Sequence, residues 1–218
     1  MNDLTLNITI LQTAYDQGAF PMAEGSEADS EIFWSRPPER AVLLPDSFHV
    51  SRRLARLIRQ KPFEIRWNDD FAEVMYQCGQ DREEGSWINP EMLAVYTAWH
   101  HAGGAFCLSV FQGGSRVGGI YGIQRGGVFM AESMFSRVPN ASSVALVVLM
   151  AGLVKAGIEM VDVQFENPHS AKFNVTELSN EEYLRELIRL REKPVLLKAD
   201  YFTFETAISF TQSLTQTS

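Results

Sequence analysis

A chain of 218 residues with 45% hydrophobic side chains holds enough apolar material for one sizeable core, and its 21% charged and 11% aromatic residues exclude a disordered protein. A net charge of −8 argues against a protein that coats nucleic acid indiscriminately. Two cysteines, Cys78 and Cys107, make no disulfide framework, no apolar run reaches the roughly 18 residues of a membrane helix, and Met1-Asn2-Asp3-Leu4 lacks a basic signal region, so a cytoplasmic protein is expected.

In chain order, residues 23–31 are acidic and loop-like, and Pro37-Pro38 ends any nearby helix. Leu54, Leu57 and Ile58 recur at helical spacing, which predicts a short amphipathic helix carrying Arg52, Arg53, Arg56 and Arg59. Lys61 and Arg66 follow, with Glu64 the single acid in this stretch. Such a patch is either a solvated helix face or a surface for weak, oriented phosphate binding. Phe71, Val74, Met75 and Cys78 predict a second helix, capped by Asp69 or Asp70 and stopped at Gly79. Asn89-Pro90 starts a third, which runs to Gly103-Gly104. Residues 105–111, 116–124 and 127–133 read as strands separated by Gly113-Gly114 and Gly126-Gly127, a meander of hairpins. Residues 142–156 are apolar nearly all round and predict a buried helix, followed by a strand over 161–165. Ser179 with Glu182 forms a capping box for a helix to about Arg191. From Ala199 onward the aromatics predict a strand and then a frayed Thr/Ser tail. The fold class is α/β or α+β, with a mixed sheet flanked by helices, and an N-acetyltransferase-type sheet fits the order of elements.

Several segments, in this order, resemble the leucyl/phenylalanyl-tRNA–protein transferase family: Tyr15 to Met22, Trp34 with Arg40 to Leu43, Phe48 to Arg52, Cys78 to Ile88, and Val117 to Gly122. The most specific is Gly127-Val-Phe-Met-Ala-Glu-Ser-Met-Phe-Ser136, followed by Asn140 to Leu146, Asp162-Val-Gln164 and Asn167-Pro-His169. The similarity covers roughly residues 14–194. Family members often carry a further N-terminal segment, which is missing or reduced here. Ser109 and Phe111 stand where the family usually has an acid and an aromatic, and Asn174 stands where Gly is common. Asn is the next residue best able to hold a positive φ.

The resemblance implies aminolysis of an ester: the α-amino group of a protein beginning with Lys or Arg attacks the carbonyl joining Leu, Phe or Met to tRNA, marking that protein for N-end rule degradation. It implies a monomer with no cofactor or metal beyond the aminoacyl-tRNA co-substrate. It divides the chain into an N-terminal region over 1–66 with a tRNA-contacting helix, a catalytic domain over 67–198, and a C-terminal strand and tail over 199–218. On a strand over 161–165, Asp162 and Gln164 share one face, so Asp162 is expected to orient the Gln164 amide toward the attacking amine. The same pair also suits the solvent-facing side of an edge strand. Glu132, among apolar neighbours, is either the family's site acid or a buried acid paired for structure. Ile120, Phe129, Ser133, Met134 and Phe135 resemble the pocket for the transferred side chain, though spacing alone suits a core equally. Trp34 and Trp87 are expected to stack on the terminal adenine, and Arg52, Arg53, Arg56, Arg59 and Lys61 to contact acceptor-stem phosphates.

Two rival readings remain. The first is an acyl-CoA-dependent N-acyltransferase, disfavoured because Gln124-Arg125-Gly126-Gly127-Val128-Phe129 leads into a strand rather than a helix N-terminus. The second is a non-catalytic binder of aminoacyl-tRNA or of protein N-termini. His100, His101 and His169 have spacing that suits neither a metal nor a hydrolase triad.

Overall fold

A computed structural model describes residues 6–80 and 86–214. The expectations for Met1 to Leu4, for Asp81 to Gly85 of the Cys78–Ile88 segment, and for the last four residues of the tail lie outside that range. Helix α1 (Ile8–Asp16) leads into a hairpin of β1 (Phe20–Ala23) and β2 (Ile32–Ser35), then β3 (Glu39–Leu43) and α2 (Arg52–Gln60). Next come β4 (Glu64–Trp67), α3 (Phe71–Gly79), α4 (Pro90–His101) and the meander β5 (Ala105–Gln112), β6 (Ser115–Arg125) and β7 (Val128–Ser136). The buried helix α5 (Ala141–Ala156) crosses to β8 (Met160–Gln164), and β9 (Thr176–Ser179), α6 (Asn180–Leu190) and α7 (Phe204–Leu214) complete the chain.

Local chemistry explains the element ends. Asp70 caps α3 and Asn89 caps α4, with Pro90 opening the latter. The capping box of Ser179 and Glu182 is formed in full. Seven strands make one mixed sheet in the order β4-β5-β6-β7-β8-β3-β9, in which β7 and β8 run parallel and the other pairs antiparallel. Alternating side chains feed two cores. Ile120 and Phe129 join α5, Ile58 of α2 and Ala207 of α7 on one face, while Tyr121 and Met130 meet α1, α3, α4 and α6 on the other. The helix α5 is covered on nearly all sides, as its unbroken apolar sequence requires.

Two expectations are corrected. Residues 199–218 contain no described strand: a short 3-10 turn (Ala199–Tyr201) leads into α7. Tyr201 to Phe204 mimic strand alternation, but Phe204, Ala207 and Thr211 follow the helical period and are the buried residues of α7. Phe202 lies flat on Trp67 and so close to α5 that a Cβ on Gly152 would come within 2.3 Å of its ring. The expected boundary at residue 66 also falls inside the sheet, because β3 lies between β8 and β9 and β4 spans it.

Candidate active site

The parallel ladder between β7 and β8 ends at Met130 and Asp162. Both strands run on, β7 to Ser136 and β8 to Gln164. Residues past that point, including Glu132, Ser133, Met134, Phe135, Val163 and Gln164, line a cavity of about 410 Å³. The cavity therefore occupies the gap where two paired strands part. Phe20 and Met22 of β1, with Trp87, close one side, and Phe165 meets Phe20 edge-on at 5.8 Å. The opposite side is polar, formed by Ser142, Asn167, His169 and Ser170.

Beneath the cavity lies a saturated ion pair. Asp162 is fully buried and accepts from Arg40 Nε at 2.9 Å, Arg40 Nη2 at 2.8 Å, the Tyr183 hydroxyl at 2.7 Å and the Gln164 backbone N–H at 2.8 Å. Arg40, itself 2% exposed, spends its remaining Nη1 on the Gly18 carbonyl and is held between the rings of Phe20 and Tyr183. The Asp162 carboxylate holds the Arg40 guanidinium above its ordinary range, against the opposing pull of burial. Gln164 sits at φ 59, a left-handed conformation that a side chain adopts at a cost and that clusters at functional sites.

That turn carries the Gln164 amide away from Asp162 and toward Glu132, to whose Oε1 it donates at 3.2 Å. Its carbonyl oxygen has no protein donor among the described residues, which leaves an acceptor at the cavity wall. Glu132 is 7% exposed, and burial raises its pKa to about 8, partly offset by the nearby Tyr15 hydroxyl. Tyr15 in turn is bonded to Tyr96, both fully buried, and burial beside Glu132 raises each phenol well above its usual range. The result is one carboxyl group whose pKa lies near neutrality at the cavity wall.

The expected residues divide accordingly. Glu132, Gln164, Ser133, Met134, Phe135 and Trp87 meet at the cavity. Ile120 and Phe129 do not: each is 1% exposed and packs into the α5 core, since strand alternation sends them to the other side of the sheet. Asp162 stays behind Gln164 and does not line the cavity. It accepts from the Gln164 backbone N–H and has no hydrogen bond to the Gln164 amide among the described residues, contrary to the expected orientation of that amide. Trp34 lies on β2 and lines a separate depression with α1, while Trp87 lines the central cavity. Arg52, Arg53, Arg56 and Arg59 sit exposed along α2 as expected, and Lys61 is paired with Glu205. Ser109 donates to the Asp69 carbonyl inside the sheet, and Asn174 holds φ 62 as its chemistry allows. Tyr15, Arg40 and Tyr183 were missed as site residues. An Arg inside the apolar run of β3 was the available signal that a buried carboxylate lay nearby.

His169 Nε2 lies 3.1 Å from Ser142 Oγ, but its Nδ1 has no hydrogen-bond partner among the described residues. Without a carboxylate to orient the imidazole, this pair is not a hydrolase triad. A buried acid of raised pKa, a carboxamide bonded to it and an apolar wall instead suit a group-transfer enzyme that aligns two substrates. The model of the leucyl/phenylalanyl-tRNA protein transferase family matches residues 42–188. The chain is 42% identical over 191 residues to the leucyl/phenylalanyl-tRNA–protein transferase of Ruegeria sp. strain TM1040, covering 88% of this chain and 90% of that one. It is 39% identical over 192 residues to the same-named protein of Prosthecochloris aestuarii, covering 87% and 98%. The structure of L-PGS from Bacillus licheniformis superposes with a TM-score of 0.42 at 12% identity, covering 98% of this chain and 73% of that one, too distant to extend the assignment. The chain belongs to the leucyl/phenylalanyl-tRNA–protein transferase family.

Proposed function

We propose that this chain moves Leu, Phe or Met from aminoacyl-tRNA in the cytoplasm onto the α-amino group of proteins beginning with Lys or Arg, tagging them for N-end rule degradation. The observation that carries the reading is the contact between Gln164 and Glu132 at the mouth of the parting strands, beside an apolar wall. The amine lone pair forms the new C–N bond at the ester carbonyl, and the bond to the ribose oxygen breaks. One proton must leave nitrogen and one must reach that oxygen. The carbonyl oxygen of Gln164 receives the amine as a hydrogen-bond acceptor. Ionised Glu132 takes the proton and returns it to the departing ribose. With a pKa of about 8, Glu132 matches an N-terminal amine of roughly 8, so transfer costs little.

Met134, Phe135 and Leu146 supply an apolar wall, and such walls separate Leu, Phe and Met by only about 1–3 kcal/mol. Trp87 lines the same cavity, and in this reading it stacks on the terminal adenine. The acyl-CoA alternative is weakened at Arg125, which is paired with Asp16 and leads through a hairpin turn into β7, with no helix start to receive a pyrophosphate. The test is transfer of radiolabelled leucine from leucyl-tRNA to a peptide beginning with Arg. Labelled peptide is expected; no label, with acetyl-CoA consumed instead, overturns the proposal.

A further inference from the structure

A second cavity of about 450 Å³ adjoins the first, bounded by α2 on one side and by Asn140, Ser143, Lys172 and Phe173 on the other. Its cations are Arg53, Arg56 and Lys172, and no carboxylate among the described residues lines it. None of the three makes an ion pair among the described residues, whereas Lys61 does so with Glu205. On a chain of net charge −8, three unneutralised cations around one hollow select for an anion. The partition between the cavities is thin. Ser142 lines the first and its neighbour Ser143 the second, and His169 Nε2 reaches both hydroxyls, at 3.1 and 3.3 Å.

We propose that the second cavity holds the phosphate on the 5′ side of the terminal adenosine, with Lys172 as its nearest new ligand, while the aminoacyl ester crosses the Ser142–Ser143–His169 partition into the first. The assignment rests on the aminoacyl-tRNA reading of the first cavity. A chain of phosphodiesters fits because it carries one negative charge per nucleotide and must present its phosphate-free 3′ end to Glu132 and Gln164. Lys172 is exposed on the 3-10 turn Ser170–Phe173, so its replacement leaves the fold intact. It lies in neither the arginine helix nor the cavity of the reacting groups, and thus sets how deeply the tRNA end is drawn in.

The experiment compares two inhibitors of leucyl transfer, 3′-leucylamido-adenosine and its 5′-phosphate, on the full chain. The wild type is expected to bind the phosphate form roughly tenfold more tightly, the gain of a charge-assisted contact. Lys172→Ala abolishes most of that preference, and Lys172→Arg keeps it. On intact leucyl-tRNA, Lys172→Ala lowers the slope of log(kcat/KM) against log salt by about 0.7, the release from one phosphate contact. Equal binding of the two inhibitors by the wild type, or an unchanged preference in Lys172→Ala, sinks the phosphate site alone. If neither compound binds and no leucine is transferred, the aminoacyl-tRNA reading falls and takes this site with it.

Discussion

Gln164 is held in a conformation that L side chains avoid, and its backbone N–H is tied to Asp162 while its amide reaches Glu132. Backbone and side chain therefore do separable work. Replacing Gln164 with Ala removes the amide and keeps the strain; replacing it with Gly removes both. The Gly variant is expected to be more stable than the Ala variant by about 1 kcal/mol, because glycine occupies the left-handed region without a Cβ clash. Both should lose transfer equally. Urea denaturation and leucyl transfer measured side by side decide the matter. Equal stability would remove the strain argument, and activity retained in either variant would remove the amide from the mechanism.

At the scale of elements, β8 is pinned from two directions, by Arg40 on β3 and by Tyr183 on α6. Removing one partner of a buried pair is costly because the other charge is stranded. Arg40→Met is thus expected to destabilise the protein by about 3–5 kcal/mol. The double variant Arg40→Met with Asp162→Leu should recover most of that loss, since neither charge remains. Turnover should nonetheless stay low, because the Gln164 N–H has lost its acceptor. A double variant with normal turnover would show that the ion pair serves the fold only. This network marks the limit of what the sequence disclosed. The capping box at Ser179, the proline start of α4 and the alternation of β5 to β7 depend on neighbours in the chain and were legible. Arg40 and Asp162 are 122 residues apart and meet only through sheet order. Alternation sets Asp162 and Gln164 on one face, but it could not show the left-handed turn at Gln164 that sends the amide to Glu132 instead. The C-terminal helix was misread for a related reason: the aromatics of residues 201–204 satisfy a short alternating pattern before the helical one begins.

For the whole molecule, burying Glu132 links the site to global stability. The folded chain holds this proton to a pH of about 8, whereas an unfolded one releases it near the reference value of 4.5. Between those values the folded state binds a proton that the unfolded state has lost, so stability falls as pH rises. The contribution is fully present below pH 4.5 and gone above the folded value, and it amounts to a few kcal/mol in order of magnitude. Other groups titrate in part of the same window: burial lowers the pKa of His169, which adds stability as pH rises toward its ordinary 6.5. Comparing the wild type with Glu132→Gln cancels those shared terms. The amide has a similar shape, still offers an oxygen to the Gln164 amide, and cannot ionise. The difference in unfolding free energy between Glu132→Gln and the wild type should therefore grow in favour of the variant from pH 5 to pH 8. Transfer by the variant should fall by about 10²–10⁴-fold, the usual worth of a positioned proton acceptor. Parallel stability curves across that range would mean that Glu132 ionises normally, and the proton route would need another carrier.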